Sequence, residues 1–199
     1  MNYTNPQIES SYQNYDIGKT IYNYVLEHKP KVVVEFGCLY GYSTVAIGLA
    51  LKELGQGKLK CYDLWENYQY KHSTIQQTIE NVKKYGVEDY VEFIQMDYYE
   101  WLNNPEQFDI MHLDISNTGD TILKTYEVLS NQLNNGSIIL FEGGSKERDN
   151  VEWMIKYNAT PINSVKEQTN YFVLDSNFPS LSVIKNEYKR YNNCYCKLL

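Results

Sequence analysis

Short apolar runs alternate with longer amphipathic stretches along this sequence, and no other feature constrains its fold as strongly. The apolar runs predict five strands, at Lys31–Phe36, Lys58–Tyr62, Val91–Met96, Phe108–Leu113 and Ser137–Phe141. The other stretches predict helices at Asp16–Lys29, Tyr42–Leu54, Ser73–Tyr85, Tyr98–Leu102, Asp120–Leu133 and Glu147–Tyr157. Strands that alternate with helices form right-handed crossover units, so we predict a parallel sheet covered by helices on both faces.

The last quarter of the chain has a different pattern. Tyr171–Leu174 and Leu181–Lys185 predict two strands separated by a turn with Asn177 and Pro179. No helix lies between them, so we expect an antiparallel pair. The prediction is therefore an α/β fold, a three-layer α/β/α sandwich whose mostly parallel seven-stranded sheet ends in an antiparallel hairpin. Without a linker or repeat, residues 1–199 are predicted to form one domain, with an N-terminal helical segment (1–30), a core (31–144) and a C-terminal part (145–199).

Charge and composition exclude several partners. The formal net charge is −7 at pH 7, which argues against binding to nucleic acid or to an anionic membrane surface. The longest apolar stretch, 32–51, is interrupted by Glu35 and three glycines, so it predicts no membrane span, and the N-terminus shows no signal peptide. The cysteines match no zinc pattern and are expected to be free thiols of a cytoplasmic protein: Cys38, Cys61, Cys194 and Cys196.

In a parallel sheet, ligands bind at the carboxyl ends of the strands. After the first strand, Gly37 and Gly41 flank a turn that leads into a helix, where free amides could hold a carboxylate or phosphate. The alternative is an ordinary tight turn, because the three-glycine dinucleotide fingerprint is absent. Glu35 favours a functional site, since a carboxylate at the end of a buried strand is costly unless it is paired.

Acidic residues also end the second and third strands. Asp63 lies where it could accept the two hydroxyls of a ribose, or it could cap a turn. Asp97 could accept from an adenine amino group, with Met96 and Tyr98 beside the ring, or it could be the N-cap of the helix Tyr98–Leu102.

Asp114 and Glu142 end the fourth and fifth strands, which are predicted neighbours. They could act as a general base and an orienting group, or as two ligands of a hard divalent metal. His112 lies inside the fourth strand, where we expect a buried, hydrogen-bonded histidine rather than a catalytic one.

Taken together, these motifs resemble the class I S-adenosylmethionine-dependent methyltransferases, which are Rossmann-like. More narrowly, they resemble the small O-methyltransferases that include catechol- and caffeoyl-CoA-type enzymes and bacterial relatives. The stretch VVVEFGCLYGYSTVAIGLA is similar to the first motif of that group, FDIMHLD to its fourth strand and NNGSIILFE to its fifth. The resemblance covers roughly residues 16–144.

The resemblance implies a role for each matching residue. Glu35 would face the amino group of the methionine moiety, Gly37 and Gly41 would line its path, and Ser43 would reach its carboxylate. Asp63 would bind the ribose, Asp97 would lie at the adenine, and Asp114 would lie near the methyl donor and the acceptor. The predicted cofactor-binding set is Glu35, Gly37, Cys38, Gly41, Ser43, Asp63, Leu64, Asp97, Tyr98 and Asp114, and the predicted catalytic pair is Asp114 and Glu142.

The chain departs from this group on the catalytic side. Metal-dependent members have an Asp-Asn pair where this chain has Glu142-Gly143, and a catalytic Lys or His of other members is replaced by Ser116 and Asn117. We therefore predict S-adenosylmethionine as the cofactor and assign no metal ligands. A divalent metal is a possible but disfavoured addition.

The predicted function is the O-methylation of a small polar molecule, such as a sugar or a phenol, since the loops 1–15 and 143–169 are rich in Tyr, Asn and Gln. The alternative is an S-adenosylmethionine-binding protein that has lost turnover. The absent third glycine counts against a nicotinamide-dependent dehydrogenase, and the net charge of −7 against a nucleic-acid methyltransferase. The tail Cys194–Leu199 would pack on the chain's own sheet edge or on a second subunit of a homodimer.

Overall fold

A computed structural model describes residues 3–70, 72–177, 179–186, 188–191 and 194–197, the last two ranges by their backbone only. Its seven-stranded sheet has the order β3-β2-β1-β4-β5-β7-β6. The strands are β1 (Val32–Phe36), β2 (Lys58–Asp63), β3 (Val91–Gln95), β4 (Ile110–Leu113), β5 (Ile138–Glu142), β6 (Phe172–Asp175) and β7 (Leu181–Lys185). β1 to β5 pair in parallel, whereas β7 pairs antiparallel with both β5 and β6. The predicted sheet and its terminal hairpin are confirmed.

Helices cover both faces of this sheet, as predicted. They are α1 (Ile17–His28), α2 (Tyr42–Leu54), α3 (Ile75–Lys84), α4 (Tyr98–Leu102), α5 (Gly119–Asn134), α6 (Lys146–Asp149), α7 (Glu152–Lys156) and α8 (Lys166–Thr169). Short 3₁₀ turns lie at Trp65–Asn67, Glu88–Tyr90 and Ile162–Val165. Among the described residues, no helix combines the length and the apolar character needed to cross a bilayer.

The prediction of one helix at Glu147–Tyr157 is wrong, because α6 and α7 are separate. The Asp149 carboxylate accepts hydrogen bonds from the backbone N–H groups of Ile162 (2.8 Å) and Asn163 (2.9 Å). The chain then becomes extended at Val151, with φ −67° and ψ 152°. Contacts with a distant turn thus outweigh the helical periodicity of this stretch.

A second hairpin was not predicted from the sequence. It consists of β8 (Tyr188–Tyr191) and β9 (Cys194–Lys197), which pair antiparallel in a sheet of their own. The side chains of Cys194 and Cys196, and the tail contact predicted for Cys194–Leu199, lie outside the described residues.

Alternating side chains of the sheet build two apolar cores. Val33 of β1 belongs to the core under α1 and α2, whereas Val34 and Phe36 belong to the core under α4 and α5. The N-terminal segment before α1 adds Ile8 and Tyr12 to the first core. Both faces of the central strands are therefore covered, and the site is built at the carboxyl ends of the strands.

Candidate active site

A cavity of about 420 Å³ opens at the carboxyl ends of β1 to β4. Ligand sites in parallel α/β sheets are expected at this edge. Six of the predicted site residues line the cavity: Gly37, Asp63, Leu64, Asp97, Tyr98 and Asp114. Five others do not line it: Glu35, Cys38, Gly41, Ser43 and Glu142.

The glycine turn after β1 passes very close to the end of β4. Gly37 has a φ of 84°, and a Cβ atom there would lie 1.9 Å from the carbonyl oxygen of Asp114. Gly41 has a φ of 89° and forms the N-cap of α2. A side chain at position 37 would have no space and an unfavourable backbone conformation, so this residue must be glycine.

Asp63 holds the glycine turn in place. Its Oδ2 accepts from the backbone N–H groups of Cys38 (2.7 Å) and Leu39 (3.0 Å), and its Oδ1 accepts from that of Trp65 (3.0 Å). The turn-capping alternative for Asp63 is thus realised. Because Asp63 also lines the cavity, the ribose-binding role stays a prediction compatible with this geometry.

Asp97 likewise has a structural partner and faces the cavity. Its Oδ1 accepts from the N–H groups of Tyr99 (2.8 Å) and Glu100 (3.3 Å), which caps α4. Tyr98 lines the cavity wall, and its ring lies 4.9 Å from the ring of Phe36 in an edge-on arrangement. The adenine role of Asp97 stays a prediction.

Glu35 lies in the first core rather than at the cavity. It is fully buried, and its carboxylate accepts from the Thr44 hydroxyl (2.5 Å) and pairs with Nδ1 of His112 (3.0 Å). Burial alone would raise the pKa of Glu35, but the hydrogen bond and charge of His112 outweigh it and hold this pKa below its usual value. His112 is therefore buried and hydrogen-bonded, as predicted, whereas the proposed contact of Glu35 with a methionine moiety remains untested.

A buried polar cluster lies next to the cavity, at the ends of β4 and β5. Asp114 lines the cavity, and Glu142, only 6% exposed, accepts a hydrogen bond of 2.6 Å from Nε of Arg148. The amide of Asn117 donates to the carbonyl oxygens of Leu113 (3.0 Å) and Glu142 (2.8 Å), which ties the two strand ends together. Asn117 thus has a structural role at a position where the sequence suggested only a missing catalytic residue.

Both carboxylates of this cluster hold protons more tightly than usual. Burial raises the pKa of Asp114, and it raises the pKa of Glu142 to about 7 although the charge of Arg148 opposes the change. Burial, together with the charges of Asp114 and Glu142, also holds the pKa of Tyr12 well above its usual value. The Tyr12 hydroxyl therefore lies within the electrostatic reach of both carboxylates, although it makes no hydrogen bond of normal geometry within the described part of the chain.

The structure brings in several residues that the sequence reasoning did not assign to the site. Three are aromatic (Tyr68, His72 and Tyr99) and three carry hydroxyl groups (Ser11, Ser73 and Ser116). Most of them lie in connections without a periodic pattern, so no sequence signal marked them. Arg148 was also missed, because its position in a predicted helix revealed nothing about its partner.

One cluster of potential metal ligands lies within the described ranges, and it does not include the strand-end carboxylates Asp114 and Glu142. Its members are Glu35, Cys38 and Cys61, all buried. Burial raises the pKa of the Cys38 thiol well above its usual value and that of Cys61 to about 11, so both sulfurs stay protonated. Protonated thiols are poor ligands, and Glu35 is already paired with His112.

Comparison with known proteins agrees with this geometry. The sequence matches the family described as "Methyltransferase domain" over residues 34–142, which is more than half of the chain. A comparison with curated proteins gives no match.

Solved structures of similar fold include three methyltransferases. The O-methyltransferase TomG from Streptomyces achromogenes, solved with SAM, is 12% identical with a TM-score of 0.60, covering 85% of this chain and 80% of its own. The SAH-bound methyltransferase PaMTH1 from Podospora anserina is 19% identical with a TM-score of 0.59, covering 89% and 79%. A putative caffeoyl-CoA O-methyltransferase from Staphylococcus aureus is 17% identical with a TM-score of 0.59, covering 86% and 84%. At these identities the likeness concerns the fold.

Proposed function

We propose that this chain, which belongs to the family described as "Methyltransferase domain", transfers the methyl group of S-adenosylmethionine to a hydroxyl oxygen of a small polar molecule. The observation that carries the proposal is the cavity at the strand ends, whose wall holds three aspartates at the carboxyl ends of β2, β3 and β4: Asp63, Asp97 and Asp114. Solved structures of the same fold hold SAM or SAH, which supports this cofactor.

The residues around the cavity suit S-adenosylmethionine. A volume of about 420 Å³ is within the range of small-molecule sites. Carboxylates suit the hydroxyl and amino groups of a nucleoside, and the walls formed by Leu64, Met96 and Tyr98 suit an apolar ring face. The acidic lining also favours a positively charged ligand such as a sulfonium.

We assign the ribose hydroxyls to Asp63 and the adenine edge to Asp97 and Tyr98. Gly37 lets the turn after β1 pass close to the end of β4, because a Cβ atom there would collide with the backbone of Asp114. Cys38, Gly41 and Ser43 act from behind the cavity wall, as parts of the turn and of the first turn of α2. Glu35, paired with His112, would support the turn from the core, so any contact it makes with the cofactor is indirect.

When bound, S-adenosylmethionine supplies a methyl group activated by its sulfonium centre. Asp114 is our candidate for the proton acceptor, because it lines the cavity whereas Glu142 does not. Its raised pKa suits a group that takes a proton from a hydroxyl. Glu142 would act through Arg148 and Asn117, which orient the end of β4. The rest of the catalytic effect would come from alignment of the reacting atoms.

The acceptor is proposed to be a small molecule with a hydroxyl group on a sugar or a phenolic ring. Ser11, Tyr68 and Tyr99 at the cavity support this class, because hydroxyl and aromatic groups bind polar rings.

Calorimetric titration with S-adenosylhomocysteine tests the cofactor assignment. We expect the wild type to bind it with micromolar affinity and to ignore NAD. Asp63→Asn should weaken binding by about tenfold or more, since a hydrogen bond to a charged group contributes about 1.5–3 kcal/mol. Asp109→Asn is the matched control, because Asp109 accepts from two backbone N–H groups, of Lys31 (2.7 Å) and Val32 (2.9 Å), at the opposite end of the sheet. Equal losses in both variants would contradict a direct role for Asp63.

Methyl transfer itself needs a second experiment. Wild-type protein with radiolabelled S-adenosylmethionine and a panel of phenols and sugars should yield a labelled product, and Asp114→Asn should abolish it. Cofactor binding without transfer to any member of a broad acceptor panel would instead support a binding protein that has lost turnover.

A further inference from the structure

Two carboxylates follow the ends of neighbouring strands in the polar cluster. Leu113 and Phe141 are register partners in the parallel pair of β4 and β5, and Asp114 and Glu142 are the next residues of the two strands. The charge of Asp114 adds to the burial that raises the pKa of Glu142, so the two groups influence each other. A positive charge beside such a pair stabilises its ionised form.

Arg148 supplies this charge from within the chain. Its Nε donates to Glu142 Oε1 at 2.6 Å, and its Nη2 donates to the carbonyl oxygen of Asn117 at 3.4 Å. The centre of the guanidinium lies 4.9 Å from the ring centroid of Trp153, which covers one face of it. Arg148 is only 4% exposed, and its Nη1 has no partner among the described residues. The guanidinium is thus held by two hydrogen bonds, and its Nη1 amino group is left for another ligand or a water molecule.

The chain path after β5 is built to bring Arg148 back to Glu142. Gly143 has a φ of 116°, and a Cβ atom there would lie 2.4 Å from Cδ1 of Ile162. Ser145 then caps α6 by accepting from the backbone N–H of Arg148 at 3.1 Å. A side chain at position 143 would be strained and would collide with Ile162, so glycine suits the turn that leads from Glu142 to Arg148.

The cluster does not fit a divalent cation. Oε1 of Glu142 already accepts from Arg148, so a metal at this oxygen would compete with the guanidinium. Across the described part of the chain, Asp114 and Glu142 belong to no group of three or more Cys, His, Asp or Glu side chains with converging ligand atoms. A cation placed beside Arg148 would also be repelled by it.

We propose that Arg148 is a positioning residue whose guanidinium supplies, inside the chain, the positive charge that a divalent cation supplies in metal-dependent members, so that this chain needs no such cation. The role of Arg148 in catalysis rests on the proposed function. The physical part, that Arg148 excludes a cation from the space between Asp114 and Glu142, is testable without any acceptor.

The test is a titration of metal-stripped protein with MnCl₂ by calorimetry, together with thermal unfolding with and without Mn²⁺. The wild type should show no binding that depends on Glu142 and no change in Tm. Arg148→Ala should gain a one-to-one Mn²⁺ site, because oxygen atoms of Asp114, Glu142 and Asn117 become available to a hard cation. Mn²⁺ should then raise the Tm of this variant by several degrees. Arg148→Lys is the matched control, since it keeps the positive charge and should gain no site.

Two results would overturn the proposal. The first is that the wild type binds Mn²⁺ at a one-to-one ratio and that Glu142→Gln abolishes this binding. This result would overturn the proposal even if Arg148→Ala does not fold. The other is a folded Arg148→Ala protein that does not respond to Mn²⁺. A parallel titration of the wild type with S-adenosylhomocysteine tests the proposed function separately. If that binding is absent, the proposed function fails, whereas with binding present the Mn²⁺ result judges Arg148 alone.

Discussion

The carboxylates of Asp63 and Asp97, at the ends of two strands, accept hydrogen bonds that stabilise the cavity wall. Asp63 accepts from three backbone N–H groups, and Asp97 caps α4, yet both side chains also line the cavity. For Asp63 and Asp97, the capping role and the ligand-binding role predicted from the sequence are therefore compatible. A substitution at either residue will change the shape of the site as well as its charge, which is why a matched structural control is needed.

Glu142 should give the protein a characteristic pH dependence of stability. Its pKa is raised from 4.5 to about 7, by burial and then by Asp114 and Asp149 against the charge of Arg148. Between these values the native protein holds a proton that the unfolded chain has lost, so the free energy of unfolding falls as pH rises. The raised pKa of His112, whose usual value is 6.5, acts in the same direction at higher pH. We expect the Tm to fall from about pH 5 to about pH 8, and Glu142→Gln to flatten the slope below about pH 7.

Thermal unfolding at several pH values measures this effect. Glu147→Gln is the control, because Glu147 is an exposed carboxylate on the neighbouring helix α6 and its removal should leave the slope unchanged. Equal slopes in the wild type and in Glu142→Gln would show that Glu142 does not titrate in this range.

At the scale of elements, α3 supports the glycine turn from outside the sheet. The Thr78 hydroxyl donates to the carbonyl oxygen of Leu39 at 2.6 Å and accepts from Nε1 of Trp65 at 3.1 Å. The Ser73 hydroxyl donates to the same carbonyl, and Nδ2 of Asn81 donates to that of Tyr40 at 2.9 Å. Leu39 has a φ of 45°, which costs free energy in a non-glycine residue. The helix thus stabilises a strained turn whose amides and carbonyls shape the cavity.

Thr78→Val should weaken both the fold and the cofactor site. The change keeps the shape of the side chain but leaves Nε1 of Trp65 without its partner, at a cost of about 1–3 kcal/mol, and it removes one of the two hydroxyl donors to the carbonyl of Leu39. We expect a lower Tm and a several-fold loss of S-adenosylhomocysteine affinity by calorimetry. Thr74→Ala should cost about 1 kcal/mol by removing the N-cap of α3 and leave the affinity unchanged. If both variants lost affinity equally, general helix stability rather than the contact with Leu39 would matter.

At the scale of the whole molecule, both faces of the sheet are covered by packed helices, and the cavity lies at the strand ends. The unfolded chain has no such cavity, so a ligand that binds there should stabilise the fold. S-adenosylhomocysteine at 100 times its Kd should add about 2.7 kcal/mol. For a chain of this size that corresponds to a Tm increase of about 5–10 °C. Thermal unfolding with NAD as the control ligand measures this, and an unchanged Tm at saturation would contradict a cofactor site in this cavity.

The sequence by itself determined seven of the strands and the edge of the sheet at which to look. Short apolar runs predicted β1 to β7, and the acidic residues at the ends of β2, β3, β4 and β5 indicated that edge. Periodicity is a local property, so it cannot predict contacts with distant residues. The predicted helix Glu147–Tyr157 was therefore wrong, because Asp149 accepts hydrogen bonds from Ile162 and Asn163 and the helix is split there.

Only the tertiary structure decided which partner each polar side chain takes. Glu35 pairs with His112 because β1 and β4 are neighbours in register, although the two residues are 77 positions apart. Arg148 reaches Glu142 because a glycine turn reverses the chain, and Asn117 joins two strand ends. The physical reason is that hydrogen bonds and ion pairs act over a few ångströms in space, and the order of strands in the sheet, not the order of residues in the chain, sets those distances.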